Sequence, residues 1–349
     1  MGRLPRTVLV LLVTGVSLYL VFPSLLQVLS AWPRLTRLEP LWFAAMLVAE
    51  AASFVCLWLL QRLALRTRDL YGVATSQLAG NAFGRIVPGG GAAAGALQYR
   101  MLVQSGVPGA TAATGLTASS LIVFVVLLAL PVAAVPAVVR GVVSPGNQLV
   151  RAAIAGLVLF AALFAVAAAL MATDRLMCWL GGVVQRVRNR LWRRREPLTD
   201  LPERLLAERD LIMRVLGRRW WEALLATIGR WFFDYLALLA ALAAVGASPR
   251  PTLVLLAFVA AQVLAQIPLT PGGLGFVEAG LTGTLALAGV TGGAAVLASL
   301  AYRLVSYWLP LPAGVVGWIL HRRRYGVSAE EEELVRGSAG DRAAVRQRP

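Results

Sequence analysis

Seven ionisable side chains stand inside apolar stretches of this 349-residue sequence: Glu50, Arg85, Arg100, Arg230, Asp234, Glu278 and Arg303. At the centre of a bilayer such a charge costs ~2.5–3.5 kcal/mol even on the mildest insertion scale, so each needs a partner or a task. Glu278 follows a glycine-rich break, where a carboxylate would sit near the positive end of a half-helix. Arg303 offers five donors in a planar fork, a geometry suited to phosphate. Two readings stand for this pair: an ion pair that locks two elements together, or a contact with a polar substrate. Arg85 and Arg100 flank an earlier break, and either meets an anionic headgroup or snorkels to the interface. Arg230 and Asp234 are four apart, hence on one helix face, as a self-neutralised pair or as secondary charges of a site. Glu50 has no local partner; it is protonated or faces a cavity. Gln77, Asn81 and Gln266 are polar residues near the breaks.

The breaks are two. Pro88-Gly89-Gly90-Gly91 interrupts an apolar region at about 72–105, and Pro271-Gly272-Gly273-Leu274-Gly275 interrupts another at about 252–289. Proline cannot donate to a helix ladder and glycine leaves the backbone bare. In hydrocarbon, freed backbone groups are tolerated only against protein or a water-filled cavity. Each region therefore reads as a re-entrant or broken pair of half-helices facing a site. Neither glycine run is a nucleotide loop, since neither follows a strand or carries the phosphate-loop lysine.

The elements that hold these residues are transmembrane helices. The chain is 58% hydrophobic and 14% charged, with a mean hydropathy of +0.73. A span needs ~20 apolar residues, and runs of that size fall at about 7–30, 41–62, 111–135, 149–172, 220–245 and 293–320. The expected fold is all-α and polytopic, with about six spans and two re-entrant pairs. The 7–30 run is too long for the core of a secretory signal, so it reads as an uncleaved first span. The net charge is +16 and every basic residue is Arg. These arginines cluster at span ends rather than along one face, which favours a membrane over nucleic acid. With both termini in the cytoplasm of a bacterial-type plasma membrane, the basic loops fall inside.

The segment 174–219 holds twelve Arg and six acids. Leu180, Val183, Val184, Val187 and Leu191 recur in it at helical spacing. It is either a basic amphipathic helix on an anionic leaflet or a solvated arm that sets topology. Residues 322–349 are polar and read as a disordered cytoplasmic tail. Cys56 and Cys178 form no disulfide or metal pattern, and the lone His321 lies in a basic cluster, so neither a metal nor a cofactor is expected.

The sequence also repeats. Shifted by 183 positions, Pro88-Gly89-Gly90 falls on Pro271-Gly272-Gly273, Gly106-Val107 on Gly289-Val290 and Gly109 on Gly292, with ten identities over the 31 positions 88–118. Each copy, about 7–135 and about 149–320, reads span, span, re-entrant pair, span. Three crossings per copy invert the second, a plan that places a substrate site near the midplane where the copies meet.

The run Pro271-Gly272-Gly273-Leu274-Gly275-Phe276-Val277-Glu278, followed by Tyr302-Arg303 and Tyr307-Trp308-Leu309-Pro310, resembles the lysylphosphatidylglycerol synthase transmembrane-region family. That family is the flippase-like membrane domain of bacterial aminoacyl-phosphatidylglycerol synthases and their stand-alone relatives. The resemblance covers most of 7–321 and is strongest over 266–310. It implies movement of a lipid with a polar or charged headgroup between leaflets. It also implies that the positions that matter are Glu278 and Arg303, with Pro271, Gly272, Gly273, Gly275 and Tyr307 beside them. In the first half, Arg85, Arg100, Pro88, Gly89 and Gly90 hold the matching place, but Gly91-Ala92-Ala93-Ala94 stands where an acid is expected. The chain ends before any soluble aminoacyltransferase domain, so lipid aminoacylation is not expected. Two other readings remain: a membrane scaffold for a lipid- or glycan-modifying enzyme docked on 174–219, and a membrane enzyme using Glu278 as a base. No nucleophile or acid is organised around Glu278 in the sequence, and the expectation is a transporter rather than an enzyme.

Overall fold

The computed structural model describes residues 39–87, 90–136, 173–191, 219–266 and 273–326, with isolated helical positions at 33, 203, 206 and between 151 and 165. Every described element is helical. In chain order they are α1 (Pro40–Ala64), α2 (Leu70–Ile86), α3 (Gly90–Gln104), α4 (Gly109–Ala129) and α5 (Asp174–Leu191). Then follow α6 (Trp220–Ala244), α7 (Pro251–Ala265), α8 (Phe276–Leu287), α9 (Gly292–Arg303) and α10 (Pro310–Tyr325). A 3-10 turn, Leu130–Ala134, extends α4, and a five-residue π-turn, Leu304–Trp308, joins α9 to α10.

Among the described residues four helical stretches are long and apolar enough to cross a membrane: Pro40–Ala64, Gly109–Ala134, Trp220–Ala244 and Gly292–Tyr325. They answer to the expected spans at 41–62, 111–135, 220–245 and 293–320. The expected spans at 7–30 and 149–172 lie outside the described residues, apart from isolated positions. So do most of the arm beyond Leu191 and the tail beyond Gly326. The last span is longer than its apolar run, because α10 carries Arg322, Arg323 and Arg324 in its final turn, at the negative end of the helix. The outward faces are apolar, with Leu41, Val48, Leu225 and Val315 exposed, as a surface solvated by lipid requires. This is an all-α membrane protein.

Both interrupted regions fold as helical hairpins, α2–α3 and α7–α8. Prolines start α1 and α7, where a missing N–H costs nothing. Asp69 caps α2 through a 3.0 Å bond from the Gly72 amide. The copies spaced by 183 residues share backbone geometry. Gly106 and Gly289 each end a helix at φ +93°. Val107 N–H donates to the Leu102 carbonyl as Val290 N–H donates to that of Leu285, both at 3.1 Å. The αL cap demands glycine at these two positions.

Helices α1 and α6 correspond under the same shift, and they pack extensively against each other. Cys56 abuts Gly229, while residues 41–49 face residues 233–243 across one groove. Numbers rise on one helix as they fall on the other, so corresponding helices run antiparallel, which is what inversion of the second copy requires. The hairpins also pack reciprocally: α2 lies on α10, and α7 on the turn that follows α4.

The main core gathers Met46, Leu127, Trp231, Leu238, Phe258, Leu281 and Leu285. The Trp231 indole donates to the Val123 carbonyl at 3.0 Å and meets Phe258 edge-on, so its one polar atom is satisfied in an apolar setting. His321, in the basic cluster that ends α10, turns inward. It is 1% exposed, with Nδ1 2.8 Å from Thr75 Oγ1 and Nε2 2.9 Å from the Met101 carbonyl. It thereby ties the end of α10 to both arms of the first hairpin.

Candidate functional site

Pro310 of α10 creates the first anchor. In an α-helix its nitrogen would face the Ser306 carbonyl, and it has no proton to give. Arg85, at the end of α2, supplies a donor. Its Nη1 reaches the Ser306 carbonyl at 2.7 Å and the Tyr307 carbonyl at 2.6 Å. Tyr307 answers by donating its hydroxyl to the Arg85 carbonyl at 3.1 Å. The buried Tyr307 ring lies under two guanidinium groups, that of Arg303 at 4.3 Å and that of Arg85 at 5.0 Å, and a ring face attracts such cations.

The second anchor is the pair from α8 and α9. Gly273 and Gly275 hold φ of +70° and +77°, a region costly for other residues, and so turn the chain into α8. Gly275 is the N-cap, which puts Glu278 in the first helical turn, where the helix end is positive. Arg303 Nε donates to Glu278 Oε1 at 2.7 Å. Both residues are deeply buried, at 7% and 8% exposure, and Glu278 Oε2 has no hydrogen-bond partner. Removing one member of such a pair costs ~3–5 kcal/mol, because the other charge stays buried.

A third polar group lies on the α1–α6 pair. Asp234 is 6% exposed. Its Oδ1 accepts from the Tyr302 hydroxyl at 2.7 Å, and its Oδ2 accepts from Gln262 Nε2 at 3.1 Å. Gln262 Nε2 also donates to the Tyr302 oxygen at 2.9 Å. The Arg230–Asp234 pair expected from their spacing does not close. Arg230 lies over the Trp231 ring at 4.1 Å, and its buried Nη1 has no hydrogen-bond partner. Glu50 is 8% exposed, and its Oε2 also has none.

These groups line one cavity of about 220 Å³. Glu50, Arg85, Arg230, Asp234, Arg303 and Tyr307 meet there, together with Asn81, Gln262, Tyr302 and Ser306. Glu278 approaches through its bond to Arg303. Arg100 is not among them: its place on α3 leaves it exposed. Gly90 starts α3 and serves packing, since a Cβ there would stand 2.9 Å from the Gly84 carbonyl oxygen. Pro88, Gly89, Pro271 and Gly272 lie outside the described residues. Gln77 accepts from the Trp58 indole at 3.0 Å, and Gln266 is exposed. Sequence reasoning did not single out Gln262, Tyr302 or Ser306 as site residues. Gln262 is one helical turn before Gln266, and Tyr302 adjoins Arg303, so proximity was the available signal.

An apolar groove of about 740 Å³ runs between α1 and α6. The same two helices border the polar cavity, through Glu50 and Ser53 of α1 and Arg230 and Asp234 of α6, but no residue lines both spaces. Among the described residues no cluster of His, Cys, Asp and Glu is placed to hold a metal.

A family model described as the lysylphosphatidylglycerol synthase TM region matches residues 8–314. No curated protein and no solved structure matches the chain.

Proposed function

This chain belongs to the lysylphosphatidylglycerol synthase TM region family, and on that premise we propose that it moves a phospholipid or related polar-headgroup lipid between leaflets. It is an integral membrane protein of a family tied to lipid metabolism. The observation that carries the reading is an arginine-rich polar cavity and an apolar groove bordered by the same two helices, α1 and α6. A lipid needs that division, because its phosphate must leave water while its chains stay in hydrocarbon. Arg230 offers an unpartnered donor to the phosphate, and Arg303 presents its guanidinium to the same cavity. Glu278 orients Arg303. A gradient, or none, drives the step, for the chain has no nucleotide loop. The protein acts as a carrier rather than an enzyme, in a bacterial-type plasma membrane with both termini in the cytoplasm.

The test is transfer of a fluorescent phosphatidylglycerol analogue across vesicles that hold the purified full chain. Arg303→Ala and Glu278→Gln are expected to abolish transfer. The double variant E278M/R303M separates the site from the scaffold. It restores most of the ~3–5 kcal/mol lost on breaking the pair singly, but not transfer. Normal transfer by the double variant overturns the assignment.

A further inference from the structure

Every buried charge in the cavity has its compensation within the protein except two. Arg85 is taken by two carbonyls, Arg303 and Glu278 by each other, and Asp234 by Tyr302 and Gln262. Arg230 rests on Trp231, with Nη1 unpartnered. Glu50 has nothing: its Oε2 is buried without a hydrogen bond, and among the described residues no arginine comes within ion-pair distance of it. It is the eleventh residue of the 25-residue α1, so it sits near the middle of a span.

An unpaired carboxylate at that depth is the most expensive state available to it, and a bound proton removes the charge. The groups that line the cavity with it are mixed in sign. Arg230 and Asp234 face it from α6 and Arg85 from α2. Arg303 and Tyr302 line it from α9, and Tyr307 from the π-turn. A second anion brought into this space repels a charged Glu50 and so favours its protonated form.

We propose that Glu50 is a proton-binding site that loads as a phosphate headgroup enters the cavity, so that transfer is coupled to the proton gradient. The step makes and breaks no other bond: a proton passes from water to the Glu50 carboxylate, and one negative charge enters with the phosphate. The inference rests on the lipid-transfer reading above. Linkage fixes its sign, because whatever binds better to the protonated form raises proton affinity in return. Headgroup affinity therefore rises as pH falls, and at most about tenfold per pH unit for one proton. Glu50→Gln mimics the loaded state and abolishes that dependence.

The experiment is calorimetry of the full chain in detergent with short-chain phosphatidylglycerol, in two buffers of different ionisation enthalpy. Uptake of close to one proton per lipid in the unmodified protein and in Asp234→Asn, but not in Glu50→Gln, supports the proposal. Binding without proton uptake, or with the same uptake in Glu50→Gln, overturns it while leaving the lipid site standing. An affinity that follows sodium instead of pH overturns it too. Loss of uptake in Asp234→Asn alone moves the proton to the wrong residue and has the same effect. If no variant binds the lipid, the transfer reading fails, and infrared spectroscopy then decides the rest. A protonated-carboxyl band that grows in as pH falls and is missing from Glu50→Gln upholds the proton site, and a band unchanged by the substitution rejects it.

Discussion

The two hairpins descend from one pattern, proline and glycine between apolar half-helices, yet they are built for different ends. The first is sewn shut. A Cβ on Gly84 would stand 2.6 Å from that of Ala94 and 2.7 Å from the Gly90 oxygen, and one on Gly80 would stand 2.9 Å from the Ala94 oxygen. Its outer face is equally tight, for Gly314 of α10 approaches the Leu78 carbonyl of α2 within reach of a methyl group. The second hairpin is looser and carries the charge. Where Gly280 of α8 faces α7, a methyl would meet a side-chain tip, Leu264 Cδ1 at 2.8 Å, and no backbone, while Gln262 and Glu278 stand on its two arms. Backbone proximity in the first hairpin leaves no room for a ligand between its helices. The second gives up that contact and gains polar side chains instead.

The largest break in this comparison is Arg85→Met. The first hairpin's charged contribution to the polar cluster, Arg85, is also a structural clasp, and its loss strands the Ser306 and Tyr307 carbonyls. Each unsatisfied group costs about 1–3 kcal/mol, so the expected loss is a fall of several kcal/mol in unfolding free energy, read by denaturant titration in detergent. A stability unchanged within error would show that water reaches these carbonyls.

A smaller and sharper contrast comes from paired glycine substitutions. Gly84→Ala forces backbone against backbone and is expected to destabilise by about 1–3 kcal/mol. Gly280→Ala of α8 meets only the flexible tip of Leu264, and is expected to cost about 1 kcal/mol or less. Equal effects, measured as shifts in thermal unfolding, would erase the distinction between a sewn and an open hairpin.

The smallest effect concerns the cap of the first hairpin. Burial pushes the Asp69 carboxyl up, but the Tyr325 hydroxyl, the Gly72 amide and the Arg324 charge together outweigh it and hold it below the usual carboxylate range. A depressed value contributes stability above the unfolded value of about 3.9 that is lost as pH falls through the folded one. Asp69→Asn is therefore expected to lower stability slightly at neutral pH and to flatten the acid limb below about pH 4. A limb of unchanged slope, followed by thermal unfolding against pH, would assign that loss to other carboxylates.

Much of this was legible from residue order. Spans α1, α4 and α6 were readable because long apolar runs have few alternatives in a chain this hydrophobic. The hairpins were readable because proline and glycine at matched places cannot continue a helix. The partner of Glu278 was readable because Arg303 was the deepest base downstream. What escaped was fixed by helical phase and distant contact. Arg100 turns outward on α3, where no local pattern marks a face. Asp234 ignores the arginine one turn away and takes Tyr302 and Gln262, 68 and 28 residues distant. His321 looked like a member of a basic cluster, but close packing of Gly314 and Gly317 on α2 draws it inward.

The Arg85 clasp has a consequence for the birth of the protein. Its acceptors lie 221 and 222 residues further along the chain. At a ribosomal pace of 5–20 residues per second, the guanidinium waits roughly 10–45 s before those carbonyls are made. Through that interval the early hairpin lacks its closing bond, which forms only once the π-turn at Leu304–Trp308 has been made.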